Sequence, residues 1–196
     1  MNAEILTRER ILDAAEDVLR RFGPRKTTVV DVARALDVSH GTVYRHFPAK
    51  AALRDAVTER WLHRVSGPLA AIAETDQPPR QRLEQWLDAL VSLKHKKALG
   101  DPELFATYHE LAREARGAVD AHVAELVGQL QHILEDGAAA GVFQTKDPQA
   151  GARAVFQATA RFHHPAHAAE WRDPAIEADY AAVKGLVLAG LLVPAP

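Results

Sequence analysis

The stretch from Thr27 to Lys50 constrains the fold more than any other part of the sequence, because it encodes two short helices separated by a tight break. Its first half has apolar residues at the three- and four-residue spacing of a helix face, after a threonine that can cap the helix. Its second half begins at Ser39, another capping residue, and ends before Phe47-Pro48. Two short helices joined in this way are typical of a helix-turn-helix, whose second helix enters the major groove of DNA.

The second of these helices carries hydrogen-bonding side chains on its outer face. Val43 and Phe47 lie four residues apart and are predicted to face the interior. The other positions are predicted to point outward: His40, Gly41, Thr42, Tyr44, Arg45 and His46. Packing alone does not require this combination, so we interpret the outer face as a surface that contacts DNA.

From Ser39 to Leu53 the chain resembles the tetracycline-repressor (TetR) family of bacterial regulators, whose signature reads S-x-G-T-[VL]-Y-x-[HY]-F-x-x-K-x-x-L. Every fixed position matches, and Ala51 stands where the family often has Glu. The resemblance covers about the first third of the chain. It implies an N-terminal DNA-binding head, a C-terminal body that binds a ligand, and a dimer in which the last two helices of each copy form a four-helix interface.

Residue chemistry and the motif match predict two kinds of DNA contact in the head. Four residues are predicted to hold phosphates: Thr28, Tyr44, His46 and Lys50. Three are predicted to face base edges, with arginine the best reader of guanine: His40, Thr42 and Arg45. Ser39 and Gly41 complete the predicted DNA-binding set.

Proline and glycine divide the rest of the chain into further helices. Apolar residues between Ile5 and Phe22 mark an amphipathic first helix, predicted to be capped at Thr7 and stopped by Gly23-Pro24. A long helix from Lys50 to Ala73 is predicted to bend or divide at Gly67-Pro68, because proline lacks the N–H that a helix interior needs. Asp-Pro pairs at 101–102, 147–148 and 173–174 are predicted to open three later helices.

These signals predict an all-α fold of about nine helices, with no convincing strand or repeat. Residues 1–50 form a three-helix helix-turn-helix DNA-binding domain in this prediction. Residues 50–73 are the linking helix, and residues 74–196 are the ligand-binding and dimerisation domain.

Charge and composition narrow the function further. Residues 1–64 hold 12 Lys and Arg against 9 Asp and Glu, whereas residues 65–196 hold 12 against 17. A basic head suits phosphate contact. The chain has no cysteine, which excludes a disulfide framework and thiolate metal sites. No signal peptide and no apolar run long enough to span a membrane are recognised, so we expect a cytoplasmic protein without a membrane partner.

Aromatic residues and histidines in the body are candidates for a ligand pocket, since helical pockets are largely apolar with a few polar groups. The candidates are Trp86, Phe105, Tyr108, His109, Phe156, Phe162 and His163. Ordinary core packing explains the same aromatic residues, and both interpretations can hold at once.

The histidines also support an alternative, a metal-responsive regulator or metal-binding protein. His163 and His167 are four residues apart, which would place both rings on one face of an unbroken helix, although Pro165 lies between them. The candidate ligands are His109, His163, His164 and His167. Hydrogen-bonded or interfacial histidines without a fixed-spacing motif are the preferred interpretation.

The function predicted from the sequence is a dimeric transcriptional regulator that acts as a repressor and leaves its operator when a small molecule binds the body. A single short recognition helix reads few base pairs, so we expect a homodimer on a pseudo-palindromic operator in double-stranded DNA. The predicted dimer seam contains Val183, Val187 and Leu191. We expect no required cofactor. No phosphate loop, nucleophile elbow or HExxH motif supports an enzyme.

Overall fold

The computed structural model describes residues 6–193 of the chain, and this part is all α-helical apart from one isolated β-bridge between Phe143 and Leu192. Ile5 lies outside the described residues. Two short 3-10 helices, Pro165–His167 and Glu170–Arg172, precede the last helix. The ten α-helices are α1 Arg8–Lys26, α2 Val29–Ala35, α3 His40–His46, α4 Lys50–Ala73, α5 Pro79–Gly100, α6 Pro102–Glu114, α7 Arg116–Ala139, α8 Pro148–Ala158, α9 Ala160–His163 and α10 Ile176–Leu191. No helix within residues 6–193 is long and apolar enough to cross a membrane.

The helix starts confirm most of the predicted caps. A capping side chain accepts a hydrogen bond from a free backbone N–H of the first turn. Five predicted residues do so: Thr7 from Arg10, Thr28 from Asp31, Ser39 from Thr42, Asp101 from Leu104 and Asp147 from Ala150. Short polar side chains therefore fix where these helices begin.

Three predicted features of the helices differ in the structure. The Asp173-Pro174 pair does not open a helix, because Asp173 Oδ1 accepts the N–H of Ala175 in a preceding turn and α10 begins at Ile176. The predicted helix over 150–164 is divided at Thr159, whose hydroxyl donates to the carbonyls of Val155 and Phe156. This break raises the count from about nine helices to ten.

Two further predictions concern glycine and proline inside helices. Gly23 has φ +73°, in the left-handed region, so the helical path is interrupted there as predicted, although hydrogen bonding resumes as far as Lys26. Gly67-Pro68 was predicted to bend or divide α4; the helix is not divided there, because it continues through Pro68 to Ala73, and the bend stays a prediction. Packing of Val65 and Leu69, both with no exposed surface, supports the helix on either side of the proline.

The chain forms two compact units that differ from the predicted division at residues 50 and 74. The first unit contains residues 101–120 together with the described part of 1–63, and the second contains residues 64–100 and 121–193. Residues 101–120 join the first unit because α6 packs on α1 and buries Tyr108 and Leu111 in the same core as Trp61. That association is between residues distant in sequence, and no local pattern encodes it.

The core of the first unit is made from one face of each of its helices. Arg60, on α4, adds ion pairs to α1 at 2.7 Å from Asp13 and 2.8 Å from Glu16. The buried residues are Ile11, Leu12, Ala15, Val18, Leu19, Val29, Val32, Ala33, Val43, Phe47, Leu53, Ala56, Val57, Trp61, Leu62, Tyr108 and Leu111. This core holds α2 and α3 in place.

The second unit has its own core, which includes a buried polar bridge. Trp86 Nε1 donates to Gln129 Oε1 at 2.9 Å, and Gln129 Nε2 donates to the carbonyl of Ser66 at 3.1 Å. The bridge joins α4, α5 and α7. Its polar atoms are satisfied, as burial requires. The largest buried apolar side chains around it are Leu69, Leu83, Trp86, Leu87, Leu90, Leu126, Leu130, Ile133 and Leu134.

Candidate nucleic-acid interface

The two short helices α2 and α3 pack against each other around a sharp turn. Asp37 occupies the left-handed region at φ 53°, and the N–H of Val38 returns to the carbonyl of Ala33 at 3.0 Å. Val43 and Phe47 are fully buried, as predicted. The turn thus presents the opposite face of α3 to solvent, which is the arrangement of a helix-turn-helix.

The outward face of α3 carries a connected row of polar side chains. Ser39 Oγ and Thr42 Oγ1 lie 2.9 Å apart, and Arg45 Nη2 donates to Thr42 Oγ1 at 3.4 Å. The rings of His40 and Tyr44 meet edge to face, with centroids 6.3 Å apart. The predicted outward residues are exposed except for Thr42 and His46, which are half-buried. Thr42 therefore connects Ser39 to Arg45 along this face.

Arg8 supports the C-terminal end of α3, a contribution that the sequence reasoning missed. Its Nη1 donates to the carbonyl of His46 at 3.1 Å, and its guanidinium lies 4.2 Å from the ring centroid of Phe47. A cation at a helix C-terminus is favourable because the last carbonyls carry partial negative charge. The position of Arg8 directly after the Thr7 cap was the available signal.

Thr28 and Lys50, both predicted to hold phosphates, line one cavity of about 390 Å³ in the first unit. The Thr28 hydroxyl donates to Asp31 Oδ2 at 2.6 Å, and the Thr28 N–H donates to the same oxygen at 3.0 Å. These two hydrogen bonds lower the pKa of the Asp31 carboxyl. A phosphate bound at Thr28 therefore meets a neighbouring carboxylate. Arg25, in the predicted basic loop, donates to Glu110 on α6 at 2.7 Å.

The predicted ligand candidates are divided between the two units. Phe105, Tyr108 and the half-buried His109 lie on α6 in the first unit, where the ring of Tyr108 stacks on Trp61 at 4.8 Å. The remaining four are buried in the second unit: Trp86, Phe156, Phe162 and His163. Their role in binding stays a prediction.

The histidine geometry does not support the metal alternative. Pro165 begins a separate 3-10 helix, so His163 and His167 do not share a helix face. Each histidine has a local partner: His163 Nε2 donates to the Phe156 carbonyl at 3.1 Å, His164 Nδ1 accepts from Ala166, and His167 Nδ1 lies 2.6 Å from Glu170. His109 belongs to the other unit. Within residues 6–193, no three His, Asp or Glu side chains are grouped to hold a metal ion.

The predicted dimer residues lie on α10 in the second unit. Val187 and Leu191 pack against its core, and Val183 is half-buried. Leu186 points outward with 75% of its surface exposed. It belongs to a run of small and apolar exposed residues: Ala182, Gly185, Leu186, Ala189 and Gly190.

Comparison with known families agrees with this geometry. Residues 79–184 match the family model described as tetracyclin repressor-like, C-terminal domain. Residues 11–57 match the model described as bacterial regulatory proteins, tetR family. The chain belongs to the TetR family of helix-turn-helix transcriptional regulators.

Individual relatives match over parts of their length. The HTH-type transcriptional repressor KstR of Mycolicibacterium smegmatis is 28% identical over 131 residues, 66% of this chain and 64% of KstR. The HTH-type transcriptional regulator TtgR of Pseudomonas putida is 36% identical over 70 residues, 36% of this chain and 33% of TtgR. The chain therefore spans between one third and about two thirds of the length of these curated relatives.

Solved structures share the fold over nearly the whole chain. SmeT, the repressor of the Stenotrophomonas maltophilia multidrug efflux pump SmeDEF, has a TM-score of 0.65 at 20% identity and covers 96% of this chain and 91% of its own. A complex of SmeT with triclosan has a TM-score of 0.67 at 19% identity and covers 96% and 97%. At these identities the likeness concerns the fold.

Proposed function

We propose that the protein is a sequence-specific transcriptional repressor that binds a pseudo-palindromic operator as a homodimer and releases it when a small molecule binds the second unit. The observation that carries the proposal is the polar row Ser39-Thr42-Arg45 on the exposed face of α3. This helix is capped by Ser39, and its opposite face is buried. Effector binding is supported by the match of residues 79–184 to the family's C-terminal domain. The SmeT–triclosan complex is a precedent in a relative.

A footprint on the DNA upstream of the protein's own coding sequence tests the DNA-binding part. We expect protection of two half-sites with centres about 34–36 Å apart, or a multiple of that distance, because two recognition helices must enter successive major grooves. Protection that is uniform along the DNA and disappears at moderate salt would show non-specific binding only, which contradicts the proposal.

Arg45 and Lys50 are expected to make separable contributions to operator binding. Arg45→Ala should relax sequence preference at one position per half-site by about 1–3 kcal/mol, because arginine pairs with guanine through two hydrogen bonds. Lys50→Ala should weaken binding evenly across sequences and reduce the salt slope by about one ion, because lysine neutralises a phosphate. Binding titrations on a library of half-site variants, at several salt concentrations, measure both.

Lys146 provides the matched control, since it is exposed and lies in the second unit. Lys146→Ala should leave sequence preference and the salt slope at their wild-type values. Loss of affinity in Arg45→Ala with an unchanged order of preferred sequences would remove its assignment as a base reader.

The exposed apolar run on α10 is expected to be covered in the homodimer. Leu186→Glu should convert the dimer into a monomer, because two buried carboxylates would face each other across a two-fold axis. Sedimentation at micromolar concentration measures the change, and Val123→Glu, at an apolar position of α7 with 37% exposure, is the control that should remain dimeric. A wild-type monomer that still binds the operator specifically would refute the dimer.

A further inference from the structure

The buried stripe of α5 contains one charged residue that the predicted functions do not use. Lys94 is 6% exposed and lies one turn after Leu90 and one turn before Ala98, which are also buried. Its side chain therefore lies largely buried on the apolar face of α5 in the second unit. The sequence signal was present, since Trp86, Leu90 and Lys94 follow at intervals of four residues.

Within residues 6–193, no carboxylate forms an ion pair with Lys94 and no acceptor forms a hydrogen bond with it. Burial and, to a smaller extent, the nearby ammonium of Lys97 together lower the pKa of Lys94 to about 8. The charge of Lys94 also acts on His163, which identifies that histidine as a neighbour.

His163 does not compensate this charge. Burial lowers its pKa to about 4, so the ring is neutral at pH 7. Because a carbonyl only accepts hydrogen bonds, the Nε2 of His163 carries the proton given to Phe156. The ring of Phe156 covers the imidazole at a centroid distance of 4.6 Å. The groups identified around Lys94 are therefore one like charge, Lys97, and a neutral imidazole covered by the ring of Phe156.

Two other cations of the second unit, Arg82 and Lys184, have partners that Lys94 lacks. Arg82, 5% exposed, donates to the carbonyl of Ala73 and to Asp136, each at 2.7 Å. Lys184 lies 2.6 Å from Asp88. An uncompensated buried charge costs stability, and replacement by an apolar residue of similar size commonly increases stability. A buried charge that lowers stability is typical of binding sites in which a bound ligand supplies the counter-ion.

The part of the second unit that packs on α5 next to Lys94 is short and irregular. α5 packs against α9, a helix of four residues bounded by the Thr159 break and by Pro165. His95, next to Lys94, contacts the carbonyl of Phe162 at 2.9 Å. A segment this short contains few internal hydrogen bonds, so its displacement by a ligand does not require a long helix to unwind.

We infer that the effector of this regulator is an organic carboxylate with an apolar, preferably aromatic body, whose charge pairs with Lys94 between α5 and α9. The inference rests on the proposed function and names its ligand class. One ammonium balances one carboxylate, whereas a phosphate dianion would keep an unpaired charge in an apolar site. Trp86, Leu90 and Phe156 supply the apolar environment for the body.

Matched probes test the charge requirement. Binding of 4-phenylbutyrate, naphthalene-2-carboxylate and decanoate, each compared with its neutral primary amide, is measured by calorimetry at pH 7. At least one carboxylate is expected to bind about tenfold or more tightly than its amide, from the strength of a hydrogen bond to a charged group. Lys94→Met should remove that preference, and Lys146→Met should retain it. Amides that bind as well as all three carboxylates overturn the inference.

Thermal unfolding without any probe separates a binding role from a structural one. Lys94→Met is expected to unfold at a temperature roughly 2–4 °C higher than the wild type, because a buried charge is removed. A lower unfolding temperature would mean that Lys94 stabilises the fold, which contradicts the inference.

The difference in stability should also depend on pH. Between the folded pKa of about 8 and the ordinary value of 10.5, the unfolded chain holds the Lys94 proton and the folded chain releases it. The unfolded state then binds more protons, so wild-type stability rises with pH relative to Lys94→Met. A gap that stays constant from pH 7 to 10 counts against an uncompensated charge.

Operator binding, followed in the same titrations, separates the two proposals. If only the neutral amides release the operator, the proposed repressor function stands and the inference that the effector is a carboxylate is refuted. If carboxylates bind in a way that depends on Lys94 but never change operator affinity, the binding site is supported and its role as the effector site is refuted. No specific operator binding in the absence of probes removes the proposed function itself.

Discussion

Replacement of Phe47 by alanine is expected to lower the free energy of unfolding by about 3–5 kcal/mol, the usual cost of removing a large buried aromatic ring. Phe47 has no exposed surface and ends α3, and Arg8 lies over its ring. Removal of the ring opens a cavity beneath the recognition helix. Operator affinity should fall steeply as well, because α3 loses its support.

Phe22 is the matched control, since it belongs to the same unit and is 56% exposed. Phe22→Ala should change the free energy of unfolding by no more than about 0.5 kcal/mol. Urea titrations followed by circular dichroism measure both variants. Similar losses in the two would mean that burial at position 47 does not determine the stability of the head.

Replacement of Gly137 by alanine is expected to destabilise the protein by about 1–3 kcal/mol, the typical cost of overpacking a core. A Cβ at this position would overlap the ring of Phe143, which is 3% exposed. The ring cannot move freely, because the N–H groups of Val142 and Phe143 both donate to the Gly137 carbonyl, at 2.8 and 3.1 Å. The chain after α7 would have to shift.

Gly128→Ala, on the same helix, is expected to have the opposite effect. Apart from its chain neighbours and the backbone of its own helix, no atom lies within 4 Å of a Cβ built there, so the variant gains only the higher helix propensity of alanine, about 1 kcal/mol. Thermal unfolding of the two variants should therefore shift in opposite directions. Stabilisation by both substitutions would show that Phe143 has room to adjust.

The local features of this fold were predictable because they depend on adjacent residues. Capping by Thr28, Ser39 and Asp101 follows from short polar side chains that reach the next turn, and the burial of Val43 follows from spacing. Where tertiary packing opposes a local signal, the local signal alone does not determine the structure. Pro68 is tolerated inside α4 since tertiary packing holds the helix on both sides of it.

Associations between distant residues could not be read from periodicity. The stacking of Tyr108 on Trp61 places α6 in the first unit, whereas the amphipathic pattern of α6 is compatible with either unit. Lys94 was overlooked for a related reason. A lysine on an apolar stripe usually extends its amine to solvent, and only the three-dimensional arrangement shows that no more than 6% of this residue is exposed.

The composition of the first unit determines how DNA specificity can be transferred to another protein. A chimera with one crossover after residue 63 would leave residues 101–120 behind, and Trp61 would meet foreign side chains in place of Tyr108 and Leu111. Such a hybrid must take both segments of the first unit, up to residue 63 and residues 101–120, from the same parent protein. Grafting only the outward residues of α3 avoids this requirement, because that stretch contributes Val43 and Phe47 to the core and both would be kept.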